Sequence, residues 1–200
     1  MKNRRALDIA NTILSATLFV LILYILLSPY TPYVVLSFQR WFDRTDGHVY
    51  QESFSLEPGI DQENLKPVPR ENTLVIPEIH VDGKIHESDD PSVLEEGMWR
   101  RPQTSTPDQG GNTVIVAHRF LYTTGAHTFY HLDKLDQGDI VTVYWEETPY
   151  HYRITETDVV PPTATNIEEQ TDEAMITLYT CTPLWTSEKR LVVRGELIEQ

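Results

Sequence analysis

Cys181 is the only cysteine in the 200-residue chain, so it cannot close an intrachain disulfide and its thiol is open to other chemistry. It stands in Thr177-Leu178-Tyr179-Thr180-Cys181-Thr182-Pro183, an apolar, β-branched run that reads as a strand and gives way to a proline-containing loop. The thiol therefore falls at a strand end, where loops on a rigid scaffold tend to carry reactive groups. A thiol is mostly protonated at neutral pH, yet its thiolate is a powerful nucleophile, so it needs a base or a cation beside it. His118 is the candidate base. It closes Val114-Ile115-Val116-Ala117 and so also stands at a strand end. Two strand ends on one rim of a barrel converge even when they are far apart in sequence. Taken singly, a histidine after an apolar strand reads as a packed, hydrogen-bonded residue, and a lone cysteine as a small buried apolar one.

Arg190 and Arg194 compete for a third role. Strand side chains alternate with period two, so both arginines point to one face of the last strand, and face alone does not choose between them. Reading the two final strands as a hairpin through the loop Thr182 to Lys189 sets Arg190 opposite the cysteine, with Arg194 about 13 Å further along. Arg190 is then the guanidinium that reaches a reacting carbonyl and stabilises the charge that develops on its oxygen. Arg194 reads as a structural or rim charge. His127 and His131 have the i,i+4 spacing of paired metal ligands, but no glutamate follows His127 and no third ligand stands out, so no metal is assigned to them.

These side chains need a β scaffold. The folded domain starts near Asn72, where Thr73 to Ile85 reads as two short strands broken by Pro77, with a tight turn at Asp82-Gly83. Ser92 to Gly97 is a helical turn at most, and Thr104 to Gly111 is a loop leading into the strand Asn112 to Ala117. Phe129 to Leu135 reads as a short helix or turn. Ile140 to Trp145 and Tyr150 to Val160 form a hairpin closed by Glu146 to Pro149, and Pro161 to Glu173 is a polar loop. Ala174 to Cys181 and Arg190 to Ile198 are the last two strands. Short strands, frequent turn signals and little helical periodicity imply an all-β sandwich or closed barrel.

Composition narrows the function classes. The net charge of −14 argues against nucleic acid as a partner, because phosphate binding needs clustered Lys and Arg. Lys2, Arg4 and Arg5 form a basic head before the almost continuously apolar run Ile9 to Leu27, which is just long enough to span a hydrocarbon core. No small-x-small cleavage site follows, so the run reads as an uncleaved transmembrane anchor and not as a signal peptide. The basic head belongs in the cytoplasm, leaving the rest of this single-pass chain outside the membrane. Aromatic residues between Tyr33 and Phe42 suit the interface, and the polar stretch Asp43 to Arg70 reads as a tether. The chain thus divides into 1–30 (basic head and anchor), 31–71 (juxtamembrane segment and tether) and 72–200 (catalytic β-domain).

Two motifs carry a resemblance. Thr177-Leu178-Tyr179-Thr180-Cys181 with Arg190 downstream, and Asn112-Thr113-Val114-Ile115-Val116-Ala117-His118-Arg119 before it, resemble the cysteine and histidine motifs of the sortases, the membrane-anchored cysteine transpeptidases of bacterial surfaces. Ile76-Pro77-Glu78-Ile79 is similar to a string in their amino-terminal hairpin. The resemblance implies an eight-stranded β-barrel with short helices. It also implies that Cys181 attacks the carbonyl after threonine in a Leu-Pro-x-Thr-Gly-like sorting signal of a surface protein, forming a thioacyl enzyme. His118 protonates the departing amine, and Arg190 supports the oxyanion. A primary amine on a cell-wall precursor or a pilin then takes the acyl group. No cofactor is implied, although a loop comparable to Glu168 to Glu173 binds calcium in some sortases; a solvated acidic loop is the commoner explanation. Ala117 replaces the usual glycine before the histidine, and Asp90-Pro91 is followed by Ser92, so an amino-terminal lid with an Asp-Pro-aromatic anchor is unsupported. The rival readings are a Cys-His hydrolase or cell-wall enzyme and a non-catalytic anchored β-domain.

Overall fold

The apolar runs become strands whose alternate residues fill one interior. The computed structural model describes residues 2–28, 68–120 and 125–199, with side chains from residue 11 onward in the first stretch. The strands are β1 Thr73–Ile76, β2 Val81–Glu87, β3 Met98–Arg100, β4 Asn112–Val116, β5 Ile140–Trp145, β6 Thr148–Val160, β7 Met175–Thr182 and β8 Lys189–Glu199. They close in the order β1-β2-β3-β4-β7-β8-β6-β5, with β5 returning to β1. This is the eight-stranded all-β barrel that the sequence resemblance implied, and closure leaves no sheet edge open to foreign strands. The pairs β2–β3 and β4–β7 are parallel, and the others are antiparallel. The helical turns of this domain are short 3-10 pieces, among them Pro91–Glu95 and Leu132–Lys134.

The period-two alternation sorts each strand into two faces. Ile115 and Ala117 on the β4 side, Ile176 and Leu178 on β7, and Leu191 and Val193 on β8 join one buried core. Each such Ile, Leu or Val side chain taken from water contributes about 1.5–3 kcal/mol, which is why the register cannot slip by one residue. Val114, Val116, Thr177, Tyr179 and Val192 therefore lie on the other, outer face. The connection between β6 and β7 is fastened to that face. Asn112 donates Nδ2 to the carbonyls of Ile167 (3.2 Å) and Glu169 (3.0 Å), and its Oδ1 accepts from Thr177 Oγ1 at 2.8 Å.

Some boundaries differ from the sequence expectation. Asp82 and Gly83 are not a turn: they lie within β2, opposite Val75 and Leu74. The reversal falls instead at the 3-10 turn Pro77–Ile79 and at His80, whose φ is 55°. Proline supplies the fixed φ that starts the turn, and it outweighs the Asp-Gly signal. Gly83 has a packing reason, because a Cβ there would meet Met98 Cε at 2.8 Å. β3 went unread because three residues carry too little pattern. Asp90 accepts from the Ser92 N–H at 2.9 Å and so caps Pro91–Glu95.

The described residues fall into two units. The amino-terminal one holds α1, a 26-residue helix over Lys2–Leu27. Its described apolar side chains are exposed, among them Leu14 and Phe19. Among the described residues, no helix is long and apolar enough to cross a membrane. The expected span Ile9 to Leu27 begins ahead of the described side chains, and the interface and most of the tether expected between Tyr33 and Arg70 lie outside the described residues.

Candidate active site

β4 and β7 lie side by side although their motifs are far apart in sequence, because the β5–β6 hairpin is inserted between them in the chain. Their parallel register pairs Val116 with Tyr179. Continued by two residues, it sets His118 beside Cys181, and Thr180 Oγ1 donating to the Ala117 carbonyl at 2.8 Å ties the chains between these points. On the other side of β7, Cys181 pairs directly with Arg190. Neighbouring strands are about 4.8 Å apart, so Cys181 and Arg190 stand side by side, and the same row runs on toward His118, two residues past the end of β4. Alternation also gives them one face: Ala117, Thr180 and Leu191 are buried, and their neighbours His118, Cys181 and Arg190 are each half-exposed.

The surroundings add groups that the sequence did not reveal. Glu95 Oε1, from the turn between β2 and β3, approaches His118 Nε2 to 3.7 Å. No spacing rule links residues 95 and 118; only the fold does. Phe120 and Trp185 meet edge-on at 5.7 Å, and Trp185 is largely exposed on the loop that follows Cys181. On the opposite flank, Glu168 accepts from Tyr179 Oη at 2.7 Å and from Arg101 Nε at 2.9 Å. Burial, followed by this bond to an anionic acceptor, pushes the Tyr179 phenol well above its ordinary range. Arg190 Nη1 donates to the carbonyls of Ser187 (3.2 Å) and Lys189 (3.1 Å), which occupies one of its three nitrogens.

A thiol, an imidazole and a guanidinium are the side-chain types that can serve acyl transfer as nucleophile, proton carrier and oxyanion donor. The comparison with known proteins decides the family: the Sortase domain model matches residues 74–198. The chain belongs to the sortase family. Sortase SrtE2 of Streptomyces coelicolor is 36% identical over 104 residues, which are 46% of this chain and 39% of that protein. The chain thus spans about two fifths of that curated relative's length. Among solved structures, sortase C-1 from Actinomyces oris superposes with a TM-score of 0.59 at 30% identity, covering 64% of this chain and 73% of that one. Sortase C of Clostridium perfringens, solved with a C-terminal cell wall sorting motif, gives 0.56 at 27% identity, with 64% and 70% covered.

Within this sortase domain, Arg194 lies further along β8, opposite Thr177, and donates to Glu156 (2.8 Å) and Asp158 (3.2 Å). The structure does not bring it to the row. His127 and His131 share no helix face: His127 lies in a turn, and His131 stands just before Leu132–Lys134 with no side-chain capping bond and meets Tyr130 edge-on. In the acidic loop, the Glu168 carboxylate is engaged by Tyr179 and Arg101. Among the described residues, no group of three or more His, Cys, Asp or Glu is arranged to hold a metal ion.

Proposed function

We propose that this sortase is a transpeptidase that cleaves a Leu-Pro-x-Thr-Gly-like sorting signal after its threonine and transfers the acyl group to a primary amine. The reading rests on one observation above all: Cys181 pairs with Arg190 across β7 and β8, while the parallel β4–β7 register, which ends at Val116 and Tyr179, runs on toward His118 and Cys181. Cys181 Sγ attacks the threonine carbonyl, His118 protonates the leaving amine, and a thioester forms. The incoming amine then displaces the thiol, with His118 accepting a proton from it. Arg190 donates to the oxygen that carries charge in both tetrahedral states. The donors of the signal are surface proteins, and the acceptor is a cell-wall precursor or a pilin. Anchoring by α1, with its basic end in the cytoplasm, would hold the barrel outside the membrane where both substrates emerge. The run Leu18 to Leu27 carries no charge and supports this placement.

The test incubates the chain with a panel of sorting-signal peptides and amine acceptors and reads the products by mass spectrometry. Expected is an amine adduct cut after threonine, absent in Cys181→Ala. Cleavage that yields only the free acid with every amine would favour a hydrolase.

A further inference from the structure

Arg119 is the one buried arginine among the described residues, 7% exposed, and it takes no part in the chemistry above. Burying a guanidinium is costly unless its donors are satisfied. Here they are satisfied from two directions. Nε donates to the Tyr130 carbonyl at 3.1 Å and Nη2 to Asp133 Oδ1 at 2.7 Å, both on the segment that leads from the loop after His118 into Leu132–Lys134. Nη1 donates to Thr182 Oγ1 at 3.3 Å, on the far side of the site. The main chain joins in, since the Phe129 N–H donates to the His118 carbonyl at 3.0 Å.

The positions of these contacts matter more than their number. Arg119 follows His118 and Thr182 follows Cys181. Thr182, the last residue of β7, alternates to the face opposite Cys181, and Arg119, past the end of β4, is buried where His118 is half-exposed. The guanidinium therefore bridges the two chains directly behind the histidine and the cysteine, beyond the last β4–β7 ladder pair, Val116 with Tyr179. Past that pair the two chains are joined by side-chain bonds and not by ladder pairing, first Thr180 Oγ1 to the Ala117 carbonyl and then, beyond His118 and Cys181, Arg119 to Thr182. The planar fork of arginine holds acceptors in fixed directions, which an ammonium does not. We propose that Arg119 is a positioning residue that fixes the distance between His118 and Cys181 by clamping Thr182 to the Tyr130–Asp133 segment. This inference rests on the reading of His118 and Cys181 as the reacting pair.

The experiment measures the rate of Cys181 alkylation by iodoacetamide from pH 5 to 10 in the full chain, with the thermal midpoint recorded alongside. Thr182→Val removes one acceptor and leaves the Arg119–Asp133 pair in place, while Arg119→Lys keeps the charge and loses the fork. Both are expected to slow alkylation at neutral pH, by about threefold and about tenfold, the order of one lost hydrogen bond and of several. Both should move the pH profile toward that of His118→Ala, with the Thr182→Val midpoint within about 2 °C of wild type. In His118→Ala, adding Thr182→Val should cost nothing more, because the coupling has no partner left. If His118→Ala shifts the profile but Thr182→Val and Arg119→Lys keep the wild-type one, Arg119 is structural and the positioning role is wrong. If His118→Ala itself keeps the wild-type profile, the reacting pair falls, and this inference with it.

Discussion

Two arginines lie on one face of one strand, and their surroundings separate their roles. Arg190 stands opposite Cys181, whereas Arg194 is committed to Glu156 and Asp158. Arg190→Gln should therefore lower kcat by about 10²–10³, the usual loss when one oxyanion donor is removed, with the thermal midpoint nearly unchanged. Arg194→Gln should leave kcat within about twofold and cost at most about 1 kcal/mol, because its partners are solvent-exposed. Steady-state kinetics and thermal melts on the two variants check this, and equal losses of kcat would contradict it. The pairing of Arg190 with Cys181 was legible in the sequence because hairpin counting is local. Glu95 was not legible, since its approach to His118 depends on how the β2–β3 connection folds over the rim.

The strands hold the site through contacts made on both faces. On the outer face Tyr179 fastens the β6–β7 connection by donating to Glu168. Its phenol is held protonated by burial first and by Glu168 second, so its pKa is raised in the folded state. The sign follows: stability from this group is fully present below the unfolded tyrosine pKa of about 10 and is lost as pH rises toward the higher folded value. Thermal melts of wild type and Tyr179→Phe should thus differ by a constant amount up to about pH 10, with the gap closing above it. A gap unchanged at pH 11 would contradict this. On β8, Gly195 packs where a Cβ would meet the Arg153 carbonyl oxygen at 2.9 Å. Gly195→Ala should cost about 1–3 kcal/mol in denaturant unfolding by overpacking a backbone contact, and a neutral result would show that β6 yields there.

What pattern reading recovers stops where pairing becomes non-local. The runs Asn112–Val116, Ile140–Trp145 and Met175–Thr182 were visible because β-branched residues cluster between turn residues. The parallel adjacency of β4 and β7 leaves no local trace. Only the convergence of two strand ends on one barrel rim was an expectation, and the parallel pairing came from the fold. Asp82-Gly83 misled for the opposite reason: its turn signal is local, and the proline turn before it decided the reversal.

In the molecule as a whole, an acidic barrel follows a helix whose described apolar side chains are exposed. If α1 is an anchor, the full chain should sediment with membranes after carbonate washing, while a chain starting at residue 68 should stay in the supernatant. Release of the full chain by carbonate would contradict anchoring. The net charge of −14 should also leave the chain without measurable affinity for DNA or RNA at physiological salt.

Under the proposed function, Cys181 forms a thioester with the acyl half of a sorting signal. The most direct measurement is the intact mass of the chain after brief incubation with a signal peptide and no amine. The expected result is a mass increase equal to the peptide through its threonine, located on Cys181, discharged on adding a primary amine and absent in Cys181→Ala. Turnover of the peptide without any adduct on Cys181, or an adduct that persists in Cys181→Ala, would contradict it.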